Sequence, residues 1–256
     1  PTHTATNVAV PSYQFPDDIP QLGGGVPADS VDARIMGGVL RDGSLWITHG
    51  AEDPFIGDGE AVARWYEIDV TGAPTLVQAG NVDPGPGVHA WMPNIAVDGR
   101  GNMGIGFALG GPTMRFGAGF TGRLASDTPG TTALPVTTYA TGLGFYQATD
   151  GGGRNRWGDY SGLSIDPADD ATFWVFNEYA STGNNWATQI ASFQLEEPFD
   201  DDWYRFNVSL GDVLTVTATL PGGGPLQFVN ELASGSFLRI ELYDPSGDLV
   251  ALDDDL

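Results

Sequence analysis

The chain has 256 residues, 33 of them acidic and 10 basic, for a formal net charge of −23, and it contains no cysteine. That balance excludes a nucleic-acid binder, which needs a cationic stripe to displace counterions, and it sets the chain against an anionic membrane surface. Disulfides and thiolate chemistry are excluded as well, and no run of about 18 apolar residues is present to span a bilayer as a helix. All the basic residues are arginine. Acidity of this size keeps a chain soluble and suits a salty or cation-rich medium. The 37 glycines and 18 prolines follow no collagen period. With many short apolar runs between them, they point to an all-β, turn-rich fold.

In chain order, Thr6 to Tyr13 reads as a strand, followed by a Pro/Asp/Gly-rich path to Asp32. Residues 34–82 read as a first four-stranded unit, with strands at Ile35–Arg41, Ser44–His49, Ala61–Val70 and Pro74–Asn81. Ala63 to Val70 alternates as a half-buried strand should. Residues 88–147 read as a second unit, with two strands flanking Asp98-Gly99-Arg100-Gly101, a third among 114–125 and a fourth at Val136–Thr141. The Gly/Ala richness of 104–122 blurs its middle. A third unit spans 154–195, with strands at Tyr160–Ile165, Thr172–Phe176 and Trp186–Gln194. Each unit opens with a hairpin whose turn carries an aspartate: Asp42, Asp98 and Asp166. Asp and Gly favour such turns because Asp bonds its own backbone and Gly accepts positive φ. The three aspartates recur about every 55 to 70 residues, and units of this kind bury their second face by stacking on copies of themselves. After Leu195 the acidic stretch 196–202 marks a boundary. Short strands follow at Trp203–Val208, Val213–Leu220, Leu238–Tyr243 and Leu249–Leu252, a small antiparallel sandwich pattern.

Two stretches carry a resemblance to known families. Asp42-Gly43-Ser44-Leu45-Trp46, Arg156-Trp157-Gly158-Asp159-Tyr160-Ser161 and the Asp166-to-Trp174 turn, a worn Asp-box, resemble the blade hairpins of a sialidase-like β-propeller. Asp202-Trp203-Tyr204-Arg205-Phe206, Gly211-Asp212-Val213-Leu214 and Ile240 to Gly247 resemble a bacterial pre-peptidase C-terminal domain. The resemblance implies a partial β-propeller of about three four-stranded blades over 1–195, then a β-sandwich over 196–256. It also implies an extracellular, secreted protein. Such propellers have about six blades, so missing blades or another chain are expected to complete the ring. The expected role is a non-catalytic binding or surface-assembly module cut from a longer protein. A sialidase-like hydrolase, or the accessory half of a secreted peptidase, are the alternatives.

The resemblance also directs attention to particular residues. Sialidase-like sites clamp a carboxylate with arginines and use a Tyr, a Glu and an Asp. Arg34, Arg156, Asp159, Tyr160 and Glu178 are of those types. Their spacing does not follow the family's order and a third arginine is not evident, so no catalytic role is assigned. Arg34 and Arg156 read first as ion-pair partners of Asp32 and Asp159. They stand as ligand-binding candidates with Asn94, Trp91 and Trp157. The two tryptophans head blades, where an exposed indole would stack on a sugar, although strand aromatics more commonly pack between sheets. Asp166, Asp169 and Asp170 are spaced like oxygen ligands of a calcium loop, although an exposed acidic turn is the commoner reading of such a run and the EF-hand string is absent. His3, His49 and His89 lack metal-ligand spacing, and Ser161 lies outside a nucleophile elbow.

Overall fold

The computed structural model describes residues 5–52, 57–195, 240–243 and 249–253. The chain divides into two compact units, Pro1–Asp200 and Asp201–Leu256. No helix occurs among the described residues, and none is long and apolar enough to cross a membrane. Among its described residues the first unit holds eleven antiparallel strands in three sheets, none closed into a barrel.

The first sheet is a meander of β1 (Gly37–Arg41), β2 (Ser44–Glu52), β3 (Ala61–Asp69) and β4 (Thr75–Val82). Asp42 and Gly43 both have positive φ, 48° and 84°, which is the backbone of a type I′ hairpin turn. The second sheet repeats the pattern with β5 (His89–Val97), β6 (Met103–Gly111), β7 (Met114–Arg123) and β8 (Thr137–Ala140). The third contains β9 (Gly162–Ile165), β10 (Phe173–Ser181) and β11 (Asn185–Phe193), so it is three-stranded among the described residues, one fewer than a four-stranded blade. In the second unit, β12 (Ile240–Tyr243) pairs antiparallel with β13 (Leu249–Asp253). The strands expected at 203–208 and 213–220 lie outside the described residues.

Apolar residues place one core between the first and second sheets and another between the second and third. Val39, Trp46 and Trp65 of the first sheet pack on Ile95, Val97, Ile105 and Phe107 of the second. Leu163, Ile165, Phe173 and Phe193 of the third pack with Ala96 and Leu124 of the second. The glycines that obscure β6 in the sequence have a reason here. A Cβ on Gly104 would stand 2.6 Å from the Phe173 ring, and one on Gly106 would stand 2.5 Å from Val175. Small residues on β6 therefore set the close approach of the third sheet. Strand β5 packs against both β1 and β9, so the first strands of the three sheets lie side by side.

Residues 6–13 do not form the expected strand. Both edges of β2 are already paired, with β1 and β3, so the segment crosses the face of that sheet. There the Ser12 carbonyl accepts from Arg64, and Tyr13 meets His49 edge-on. The chain then runs as a strap across the ends of all three sheets. Gln14 bridges to Glu52 of β2, the Leu22 N–H donates to the Met114 carbonyl of β7, and Ala28 bridges to Asn155 ahead of β9.

Candidate functional site

The three first strands enclose one side of a cavity of about 540 Å³, lined by residues 36–41, 94–97 and 163–165. β1, β5 and β9 are each the edge strand of their sheet, so their free backbone groups face this shared space. At one end the hairpin turns meet. Arg41 forms an ion pair with Asp170, and the Gly99 N–H donates to the Asp170 carbonyl. At the other end stand the residues that lead into the first strands, and most of the candidates gather there.

A buried polar knot holds that end together. Asn94 donates through Nδ2 to the Ser161 carbonyl at 2.7 Å, and its side chain also lies against Gly37 of β1. The Ser161 hydroxyl donates to the Met92 carbonyl and accepts from Asn177 Nδ2. Three sheets are thus tied at one point, and Tyr160 is carried beside the knot with its ring exposed. Neither Ser161 nor Asn177 was expected to take part. The available signal was Asn177 itself, a polar residue in phase with the inward-facing Phe173 and Val175 of β10.

Around this knot lie the charged groups. Arg34 holds Asp32 through two bonds, Nε to Oδ1 at 2.7 Å and Nη2 to Oδ2 at 2.6 Å. The guanidinium, acting through its hydrogen bonds and together with the Arg34 N–H, lowers the Asp32 carboxyl to about 2. The Tyr160 hydroxyl interacts with the same guanidinium. Arg156 Nη2 donates to both oxygens of Asp159 at 2.8 Å. Both arginines are therefore in the ion pairs that their neighbouring aspartates suggested. The Glu178 carboxylate accepts the Gly158 N–H at 2.6 Å. Burial raises its pKa, the Gly158 bond opposes the shift, and the nearby charge of Asp159 adds to it.

The two tryptophans are elsewhere. Trp91 is 1% exposed and Trp157 3%. They contact each other and Phe116, with Tyr146 edge-on to Trp157, inside a cluster that Ile19 and Ala28 of the strap help close. Neither indole offers a face to a sugar, so both are corrected from ligand contacts to core residues.

The acidic turn is held by its own bonds. Asp166 accepts the Ala168 N–H and the Trp174 indole N–H. Asp169 accepts the Thr172 hydroxyl and the N–H groups of Thr172 and Ala171, which together lower its pKa to about 2. Asp170 takes Arg41. Among the described residues no three carboxylates or imidazoles converge on a point that would hold a metal ion. His49 and His89 are buried as hydrogen-bonded residues, with His49 Nε2 on the Tyr66 hydroxyl and His89 Nδ1 accepting the Ala61 N–H.

No protein-family model matches the sequence, and no curated protein matches it either.

The mouth of the cavity thus presents an exposed tyrosine, an asparagine and two arginines already balanced by carboxylates. A bidentate arginine clamp needs a free fork; here Arg34 spends Nε and Nη2 on Asp32, and Arg156 spends Nη2 on Asp159. The arrangement suits a neutral, hydroxyl-rich ligand better than an anion.

Proposed function

We propose that this chain is a non-catalytic, extracellular ligand-binding module. In this reading the first unit is three blades of a sialidase-like β-propeller, the second unit is a pre-peptidase C-terminal sandwich, and the ligand is a glycan bound at the mouth of the cavity. The observation that carries the reading is the convergence of β1, β5 and β9 on one cavity, with Arg34, Asn94 and Tyr160 at a single end of it. Tyr160 supplies the aromatic face for a sugar ring, and Asn94 and the two ion pairs supply donors and acceptors around it. The paired arginines favour a neutral sugar over a carboxylate-bearing one.

A second reading, a glycoside hydrolase, has one observation in its favour: the raised pKa of Glu178 beside Asp159. Perturbed carboxyls in a cleft are typical of acid–base catalysts. A glycan array probed with the wild type and with Tyr160→Ala separates the two. The module reading expects retained glycans, no sugar released, and binding weakened about tenfold or more in the variant, a loss of about 1.4 kcal/mol. Undiminished binding by the variant removes the mouth as the site. Free sugar in solution replaces the module with a hydrolase.

A further inference from the structure

The hairpin of β1 and β2 fixes which peptide groups of β1 are already spent. Its tight turn, Asp42-Gly43, makes Arg41 and Ser44 a hydrogen-bonded pair. The alternation of an antiparallel ladder repeats that pairing at Val39 with Trp46 and at Gly37 with Thr48. The N–H and C=O groups of Gly38 and Leu40 therefore point away from β2, toward the cavity that both residues line. Among the described residues no strand or loop pairs with that edge. The neighbouring edges are less open. On β5, Asn94 Oδ1 accepts the Ile95 N–H, and Ile95 and Val97 are 2% and 3% exposed. On β9, Leu163 and Ile165 pack on the core around Phe173 and Leu195. Gly38, by contrast, is exposed and has no side chain to bar approach, and Leu40 is 64% exposed.

The chemistry of the edge selects its ligand. A donor and an acceptor stand together on alternate residues, at an interval of about 6.8 Å. An extended peptide carries the complementary groups at the same interval, whereas the hydroxyls of a sugar chain do not keep it. An added strand would continue the first sheet, so the pleat sets its side chains. The residue opposite Val39, and those two places to either side, would face Ile95 and Val97 of the second sheet and favour apolar groups. The residues between them would lie on the exposed side, with Leu40. Charge sets the flanks. At the turn end of β1, Asp42 and Asp170 outnumber Arg41. At the mouth, Asp32, Asp159 and Glu178 outnumber Arg34 and Arg156. On a chain of net charge −23, basic residues at both ends of the peptide complement that field.

We propose that the free edge of β1 binds an extended peptide with basic flanks as an added antiparallel strand, held by the peptide groups of Gly38 and Leu40. Free strand edges are templates for this kind of pairing, and every strand pair in the first unit is antiparallel already. The register is fixed because a slip by one residue would turn the apolar side chains away from Ile95 and Val97. The peptide is a second ligand, beyond the glycan of the mouth. It occupies the β1 wall of the cavity, and neither ligand depends on the other.

The test is fluorescence anisotropy of the full chain with a dye-labelled peptide, Lys-Val-Thr-Val-Thr-Val-Lys. Its valines are placed to face Ile95 and Val97, and its threonines to pair with Gly38 and Leu40. N-methylation of both threonines removes the N–H groups aimed at β1 and leaves the charge unchanged. N-methylation of the valines removes N–H groups aimed away from β1. The added strand predicts that the parent peptide binds, that methylated threonines weaken binding about tenfold or more, and that methylated valines leave it nearly unchanged. On the protein, Leu40→Pro deletes the donor on the cavity side, a position where an edge strand tolerates proline. It should weaken the parent peptide to a similar degree, with circular dichroism to verify folding; the methylated peptides decide on the wild type alone if that variant does not fold. Absence of binding by the parent peptide overturns the proposal. So does equal binding of all three peptides, the signature of charge alone, or equal weakening by both methylations. A folded Leu40→Pro variant that binds like the wild type overturns it as well.

Discussion

Glu178 is the residue at which the electrostatics of the mouth are most easily measured. Its carboxyl is raised by burial, so the folded state holds the proton to a higher pH than the unfolded chain. The associated stability is present in full below the unfolded value of about 4.3 and is lost as pH rises through the folded pKa. Glu178→Gln keeps an acceptor for the Gly158 N–H and removes the charge. It should raise Tm at pH 7 and leave Tm nearly unchanged at pH 4; a lower Tm at pH 7 would show that the charged form is stabilising. Several neighbouring roles were legible in the sequence. Arg34 lies two residues from Asp32 and Arg156 three from Asp159, and both pairs form. The burial of Trp91 and Trp157 was not legible, because a tryptophan entering a strand reads the same whether it is covered or bare. What covers these two comes from Phe116, Tyr146 and Ile19, far away in the chain.

At the scale of elements, the Asp-bearing turns were strong signals because each sits between two short apolar runs, and all three hairpins form as expected. β10 extends to Ser181, beyond the expected Phe176, because Asn177 and Glu178 interrupt its apolar run while continuing its ladder with β11. The strand expected at 6–13 fails for a reason that composition does not reveal, since β2, which the chain meets at Gln14–Glu52, already has two neighbours. The contact of second and third sheets depends on Gly104 and Gly106 lying under Phe173 and Val175. Phe173 is fully buried, and Phe173→Ala should cost about 3–5 kcal/mol through lost burial and the cavity left behind. Gly106→Val adds bulk to the same interface and should cost about 1–3 kcal/mol. Urea unfolding of both variants measures these values. A neutral Gly106→Val would mean that the two sheets are farther apart than described.

At the scale of the molecule, the account depends on β1, β5 and β9 standing around one cavity, since the mouth and its proposed ligand follow from that arrangement. Leu40 lines the cavity from β1 and is well exposed. The chain has no cysteine of its own, so Leu40→Cys gives a single attachment point for a nitroxide. The decisive measurement is paramagnetic broadening of amide resonances from that label, with the labelled chain diluted into unlabelled chain so that only intramolecular effects are read. The account predicts broadening at Asn94–Val97 of β5 and also at Leu163–Ile165 of β9, two strands far from residue 40 in sequence. Broadening confined to the first sheet, with β9 untouched, would contradict it.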